Sequence, residues 1–265
     1  VVSLLKEKNM IIDTHAHLLK KYYDDLESEI EKVAAAEIII FNSGVDPETN
    51  KEVIELAKKY DNIFATVGFH PTELANIEEK DLNELEKDIQ NKKVVAIGEI
   101  GLDYYHDQTN KEKQIEIFKK QILLAKKYHK PIIVHTRNSL DDVYNILKES
   151  KLEQTGGIIH CYSGNTKMAK NFIKLGFLIG IGGVVTFKNA TELKKVVEDI
   201  DIKSIVVETD APYLAPTPYR GKKNTSRYLP EILKELEKIK KMPYNNIVDI
   251  LEKNVHEKFF KNMLK

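Results

Sequence analysis

Met10-Ile11-Ile12-Asp13-Thr14-His15-Ala16-His17 places three apolar residues ahead of two imidazoles spaced two apart. Side chains at i and i+2 of an extended segment share a face. The apolar run therefore reads as a buried strand that aims both rings at one point, where two neutral imidazoles chelate a divalent cation. Taken alone, such a pair is more often two solvated or hydrogen-bonded histidines. The rest of the chain decides between them.

Working outward from this first strand at residues 10–13, seven more β-rich runs recur at 38–42, 63–67, 94–98, 132–134, 157–159, 177–181 and 205–207. Between them lie amphipathic, Lys/Glu-rich helical patterns at 48–60, 82–91, 111–128, 140–149, 168–174 and 191–197, and two more at 229–240 and 246–260 close the chain. Strands alternating with helices signal parallel βα units. Eight such units in 265 residues suit a closed (β/α)8 TIM barrel, an α/β fold of about 250 residues, with a doubly wound open sheet as the alternative. No Pro- or Gly-rich linker divides the chain, so residues 10–265 are expected to form a single domain, and residues 1–9 an N-terminal extension ahead of Met10, itself a candidate natural start. The Lys/Glu-rich segments read as solvated outer faces of barrel helices.

Composition narrows the function. Charged residues make up 31% and hydrophobic residues 42%, with no apolar run near the ~20 residues a spanning helix requires and no signal-peptide pattern in residues 1–10; a cytoplasmic protein is expected, with no membrane and no obligate protein partner. The one cysteine, Cys161, excludes an intramolecular disulfide and a structural cysteine–zinc cluster. Lys+Arg and Asp+Glu number 41 each, so the global positive field of nonspecific duplex binders is missing and any nucleic-acid contact has to be local.

In a barrel of this kind catalytic groups gather at the C-terminal ends of strands. The first strand is followed by His15 and His17, the third by Gly68-Phe69-His70-Pro71, the fourth by Glu99 and Asp103, the fifth by His135, the sixth by His160 and the eighth by Glu208-Thr209-Asp210. Six of the eight histidines lie there when His106, a loop residue near the mouth and not a ligand, is included; His129 and His256 fall on helices and read as surface or packing residues. Singly, His135 or His160 reads as a satisfied core histidine and Asp210 as a turn cap. Together, such groups buried without a common partner would be costly. His15, His17, Glu99, His135, His160 and Asp210 exceed the four ligands of one tetrahedral zinc. Two cations about 3.5–4 Å apart accommodate them if a carboxylate bridges, and Glu99 is the natural bridge.

These residues resemble the TatD-type metal-dependent deoxyribonucleases, a branch of the amidohydrolase-like (β/α)8 metallohydrolases. The matching strings are Asp13-Thr14-His15-Ala16-His17-Leu18, Gly68-Phe69-His70-Pro71, Gly98-Glu99-Ile100-Gly101-Leu102-Asp103-Tyr104, Val134-His135-Thr136-Arg137, His160-Cys161-Tyr162-Ser163-Gly164 and Glu208-Thr209-Asp210-Ala211-Pro212-Tyr213-Leu214. Asn254-Val255 followed by Phe259 looks like the family's closing helix. The resemblance implies that His15, His17, Glu99 and Asp210 bind one divalent cation and Glu99, His135 and His160 another, the ions being zinc, manganese, nickel or magnesium. It implies that Asp210 doubles as general base toward the metal-bound water, with Glu99 the other catalytic carboxylate, and that the resulting hydroxide cleaves phosphodiester bonds of DNA, at single-stranded or frayed ends. His70 is assigned to substrate or phosphate binding, with structural support of the ligands as the alternative.

Where the family reads Arg-Gly-Lys-x-Asn-Glu-Pro, this chain reads Arg220-Gly221-Lys222-Lys223-Asn224-Thr225-Ser226. Arg220 is expected to pair with a phosphate, and Thr225-Ser226 departs from the pattern. Two other classes compete: a hydrolase of carboxylic ester, amide or aminoacyl linkages built on the same centre, and a non-enzymatic metal-binding scaffold.

Overall fold

The computed structural model describes residues 10–106, 109–152 and 154–261; the expected extension at 1–9 lies outside them. Eight strands, β1 (Ile11–Ala16), β2 (Ile38–Ser43), β3 (Ile63–Val67), β4 (Val94–Asp103), β5 (Ile132–Arg137), β6 (Gly157–Ile159), β7 (Phe177–Ile181) and β8 (Ile205–Val207), form one sheet in sequence order. Every neighbouring pair is parallel. Just beyond β8, the Asp210 N–H donates to the His15 carbonyl at 2.9 Å and the His17 N–H to the Ala211 carbonyl at 2.7 Å, which closes the ring. Asp13 tightens the same seam by accepting from the Thr209 backbone N–H at 2.9 Å and hydroxyl at 2.6 Å. The fold is a single-domain (β/α)8 barrel.

Among the described residues nine α-helices cover the outside: α1 (Leu26–Ala35), α2 (Pro47–Lys59), α3 (Glu79–Asp88), α4 (Lys111–Tyr128), α5 (Leu140–Ser150), α6 (Thr166–Lys174), α7 (Thr191–Asp199), α8 (Leu229–Lys240) and α9 (Tyr244–Val255). α1 is the one the sequence pattern left unmarked. Its start is set by Asp25, which accepts from the Ser28 N–H at 2.9 Å, and it buries Leu26, Ile30 and Val33. α2 opens on a full capping box between Asp46 and Thr49 with Pro47 in its first turn.

The strands divide their side chains between two cores. Ile38, Ile40, Ile63, Ala65, Ile132, Val134, Ile205 and Val207 face the helices, and Ile12, Ile39, Phe41, Phe64, Ile133, Ile158, Leu178 and Val206 fill the barrel. The barrel floor is sealed from the C-terminal end of the chain. Val255, Phe259 and Phe260 join the inner core, with Phe259 and Phe260 edge-on to Phe41 at 5.1 and 5.9 Å.

β1, β4 and β5 extend three to five residues beyond their expected ends because side-chain alternation continues after hydrophobicity stops. In β4, Ile100 and Leu102 still pack under the helices while Glu99 and Asp103 on either side of them face the mouth. On the inner face, a step of two residues turns apolar into polar in strand after strand: Phe41 to Ser43, Phe64 to Thr66, Ile133 to His135, Ile158 to His160 and Val206 to Glu208. The polar layer thus lies on an apolar base at the C-terminal end of the barrel.

Candidate metal centre

Glu99 is the hub of this layer. Its Oε2 lies 3.3 Å from His15 Nε2 and 3.4 Å from His17 Nε2, and its Oε1 lies 2.9 Å from His135 Nδ1 and 3.8 Å from His160 Nε2. Asp210 Oδ1 closes the group, 3.8 Å from His15, 3.6 Å from His17 and 3.8 Å from His160. All six residues expected as ligands therefore converge, and Glu99 directs one oxygen toward the β1 histidines and the other toward those of β5 and β6. Asp210 reaches inward from a left-handed backbone, φ +57°, which turns the chain sharply at the end of β8.

The far nitrogen of each ring shows which lone pair is free. His17 Nδ1 donates to the Ser43 carbonyl at 3.0 Å, so its Nε2 lone pair points into the cluster. His15 Nδ1 meets the Ser43 hydroxyl at 3.1 Å, which in turn meets Thr66 at 2.7 Å. His160 Nδ1 lies 3.1 Å from Glu208 Oε2, and His135 Nε2 lies 3.2 Å from Asp103 Oδ2. A carboxylate or carbonyl behind an imidazole whose other nitrogen faces a shared centre is the arrangement that orients metal ligands. Four imidazoles and two carboxylates, converging and buried save for the half-buried His135 and Asp210, match the donor set of a divalent-cation site.

Electrostatics agree. Burial opposes ionisation of Glu99 and Asp210, yet the surrounding imidazoles outweigh it and hold both carboxyls below their ordinary values. Burial likewise opposes charge on His17 and His160, but Asp210 and Glu99 push the first up to about 9 and Glu208 pushes the second up to about 10. Without a cation the cluster retains protons where ligand lone pairs should be.

His70 differs from the rest. It lies edge-on to His135 with ring centroids 4.4 Å apart, and its Nε2 is 3.6 Å from Glu99 Oε1. His70 Nδ1 meets the Thr72 hydroxyl at 2.7 Å and the Thr72 backbone N–H at 3.2 Å, its Nε2 faces the cluster, and burial lowers its pKa to about 3. A neutral ring there can reach a substrate oxygen, and its ligand atom also groups with those of Glu99 and His135 as a set that could hold a cation. Arg220 makes no contact with the cluster. It is exposed, its guanidinium 4.3 Å over the Phe187 ring in the loop after β7. At the departure from the family pattern, Thr225 donates its hydroxyl to Glu29 of α1, and Glu29 also pairs with Arg227 at 3.4 Å. A carboxylate from α1 therefore meets this loop.

Sequence reasoning did not give Asp103 and Glu208 positioning roles. For Asp103 spacing held the signal, since it lies an even separation from Glu99 along β4; Glu208 lies past β8, where the chain turns at Asp210, and spacing gives no guide. Gly180 is part of the same device: a Cβ there would lie 2.7 Å from both Glu208 carboxylate oxygens.

A (β/α)8 barrel with this cluster at its mouth belongs to the metal-dependent hydrolases. The family model described as TatD related DNase matches residues 12–261, and the chain belongs to that family. It is 40% identical over 252 residues to the uncharacterized metal-dependent hydrolase YabD of Bacillus subtilis, covering 94% of this chain and 99% of the relative. Against MJ1582 of Methanocaldococcus jannaschii, also named an uncharacterized metal-dependent hydrolase, identity is 36% over 256 residues, covering 96% and 98%. The crystal structure of YjjV, a TatD homolog from Escherichia coli, superposes with a TM-score of 0.89 at 30% identity, over 94% of this chain and 98% of that one. Among the described residues no helix is long and apolar enough to cross a membrane.

Proposed function

We propose that this metal-dependent hydrolase cleaves phosphodiester bonds of DNA, trimming single-stranded or frayed ends. The observation that carries the reading is the split of Glu99, with one oxygen serving the β1 histidines and the other those of β5 and β6. Such a split suits two cations, for which His15, His17, Glu99 and Asp210 would form one shell and Glu99, His135 and His160 the other; zinc, manganese, nickel and magnesium all fit these donors. Bound there, such ions lower the pKa of water and stabilise charge on the phosphoryl and leaving oxygens.

The chain's own groups supply the rest. Asp210, ionised and with 17% of its side chain open to the mouth, accepts the proton of the attacking water. His70 donates its Nε2–H to a phosphoryl oxygen. Glu208 and Asp103 hold the His160 and His135 rings in place. Arg220 supplies positive charge beside the mouth for a flanking phosphate. DNA as substrate is supported by the family's description and by these phosphate-directed groups.

The test offers end-labelled single-stranded and duplex DNA, with aryl esters in parallel, to metal-loaded protein. DNA shortened from its ends, with turnover lost on chelation and lowered at least a thousandfold in Asp210→Asn, is the expected result. Ester cleavage with intact DNA would instead favour the carboxylic ester or amide reading, and no turnover of either would favour a metal-binding scaffold.

A further inference from the structure

Among the described residues four large apolar or aromatic side chains are exposed: Tyr105 at 60%, Leu123 at 63%, Tyr213 at 47% and Leu214 at 40%. Three of these four lie in loops at the barrel mouth, where their exposed faces are open to a ligand entering the site. They form two patches.

Tyr105 follows β4. Asp103, the carboxylate behind His135, also accepts the backbone N–H groups of Tyr105 and His106, each at 2.9 Å, so the Tyr105 backbone is anchored beside the cluster. The Arg137 guanidinium, from the end of β5, sits 4.1 Å over the Tyr105 ring and forms no ion pair with a described carboxylate. Tyr213 follows β8, three residues after Asp210, whose carbonyl accepts its backbone N–H at 2.8 Å. Its ring meets Tyr22 edge-on at 5.7 Å, and Lys21 lies 5.1 Å over Tyr22. Each patch therefore pairs an aromatic face with a nearby cation, the combination single-strand binders use to stack bases and hold phosphates.

Strand order places the patches. In a ring running from β1 to β8 in sequence, the seam between β4 and β5 is four strands from the seam between β8 and β1, which puts the two on opposite sides of the mouth with Glu99 and Asp210 between them. We propose that a single strand of nucleic acid crosses the mouth along this diameter, with the base on one side of the scissile phosphate stacked on Tyr105 and the base on the other side on Tyr213. This inference rests on the phosphodiesterase reading above. Stacking accepts any base, so the site tolerates sequence but requires a nucleotide on each side of the bond cleaved.

The test uses substrates with one scissile bond: a dinucleotide and its two half-abasic forms, in which a tetrahydrofuran replaces one nucleoside or the other. Tyr105→Ala and Tyr213→Ala are each expected to raise KM for the dinucleotide roughly five- to hundredfold, with kcat changing less. The loss from Tyr105→Ala should vanish on one half-abasic substrate and that from Tyr213→Ala on the other. Trp or Phe at either position should restore binding. A 2-aminopurine placed in either half should be quenched by wild type and not by the corresponding Ala variant, a readout independent of turnover. Both side chains are exposed, so thermal midpoints should stay within a few degrees of wild type. Coupling of both variants to the same half, or no KM change in either, would overturn the strand path. Wild type that cleaves neither the dinucleotide nor any longer strand would remove the phosphodiesterase reading, and the strand path with it.

Discussion

Replacing Glu208 by Gln should weaken metal binding while sparing the fold. Glu208 is fully buried, places Oε2 3.1 Å from His160 Nδ1 and accepts the Cys161 backbone N–H through Oε1 at 2.5 Å. At 3.1 Å and an effective dielectric of about 20, an imidazolium and a carboxylate attract by about 5 kcal/mol, of which burying two charges offsets the larger part. Gln has the same shape and can still accept from Cys161, but it then turns its NH2 toward His160. That reverses the tautomer: Nδ1 becomes the acceptor and the proton moves to Nε2, the nitrogen facing Glu99 and Asp210.

Loss of a group that orients a ligand this way costs about ten- to hundredfold in metal affinity, or about 1.4–2.7 kcal/mol. Competition with a chromophoric chelator measures it. Gly180→Ala should act in the same direction, because its new Cβ would press on both Glu208 oxygens at 2.7 Å. A Glu208→Gln protein that is folded by circular dichroism and binds metal within twofold of wild type would refute the orienting role.

Metal uptake should release protons. His17, raised to about 9, and His160, raised to about 10, both bear protons at pH 7 without a cation, and ligation displaces them. Apparent affinity therefore rises with pH through the neutral range, and titration calorimetry in two buffers of different ionisation enthalpy should show about one to two protons released; no buffer dependence would contradict it. Phe260→Ala should destabilise the protein by about 3–5 kcal/mol in chemical denaturation, since the ring is 1% exposed and packs against Phe41 and Phe64 in the barrel floor. Arg220→Gln should raise KM for an oligonucleotide several-fold, lower the salt dependence of binding and leave metal affinity unchanged, because the guanidinium lies over Phe187 and away from the cluster.

The eight strands and all but one of the helices were legible from the chain because buried parallel strands read as apolar runs and their helices as amphipathic segments. α1 is the least legible helix, because its apolar face is a narrow stripe of Leu26, Ile30 and Val33 in an otherwise Glu/Lys/Ala segment. Strand ends were less legible. β4 reads as finished at Gly98 because hydrophobicity breaks at Glu99, although the backbone ladder continues to Asp103 against Arg137. The six converging groups could be named because each lies at or just past the C-terminal end of an apolar strand run, His135 and His160 a step of two past the inner-face residues Ile133 and Ile158.

Roles among the acids were another matter. Asp13 and Asp103 both lie beside motif residues in the sequence, yet Asp13 fastens β1 to the turn after β8 through Thr209 while Asp103 stands behind His135. Local periodicity determined which residues share a face, since that depends only on spacing along extended chain. Which oxygen of Glu99 meets which histidine, which carboxylate backs which ring and which aromatic side chains flank the mouth depend on contacts between strands far apart in sequence, and those exist only once the barrel has closed.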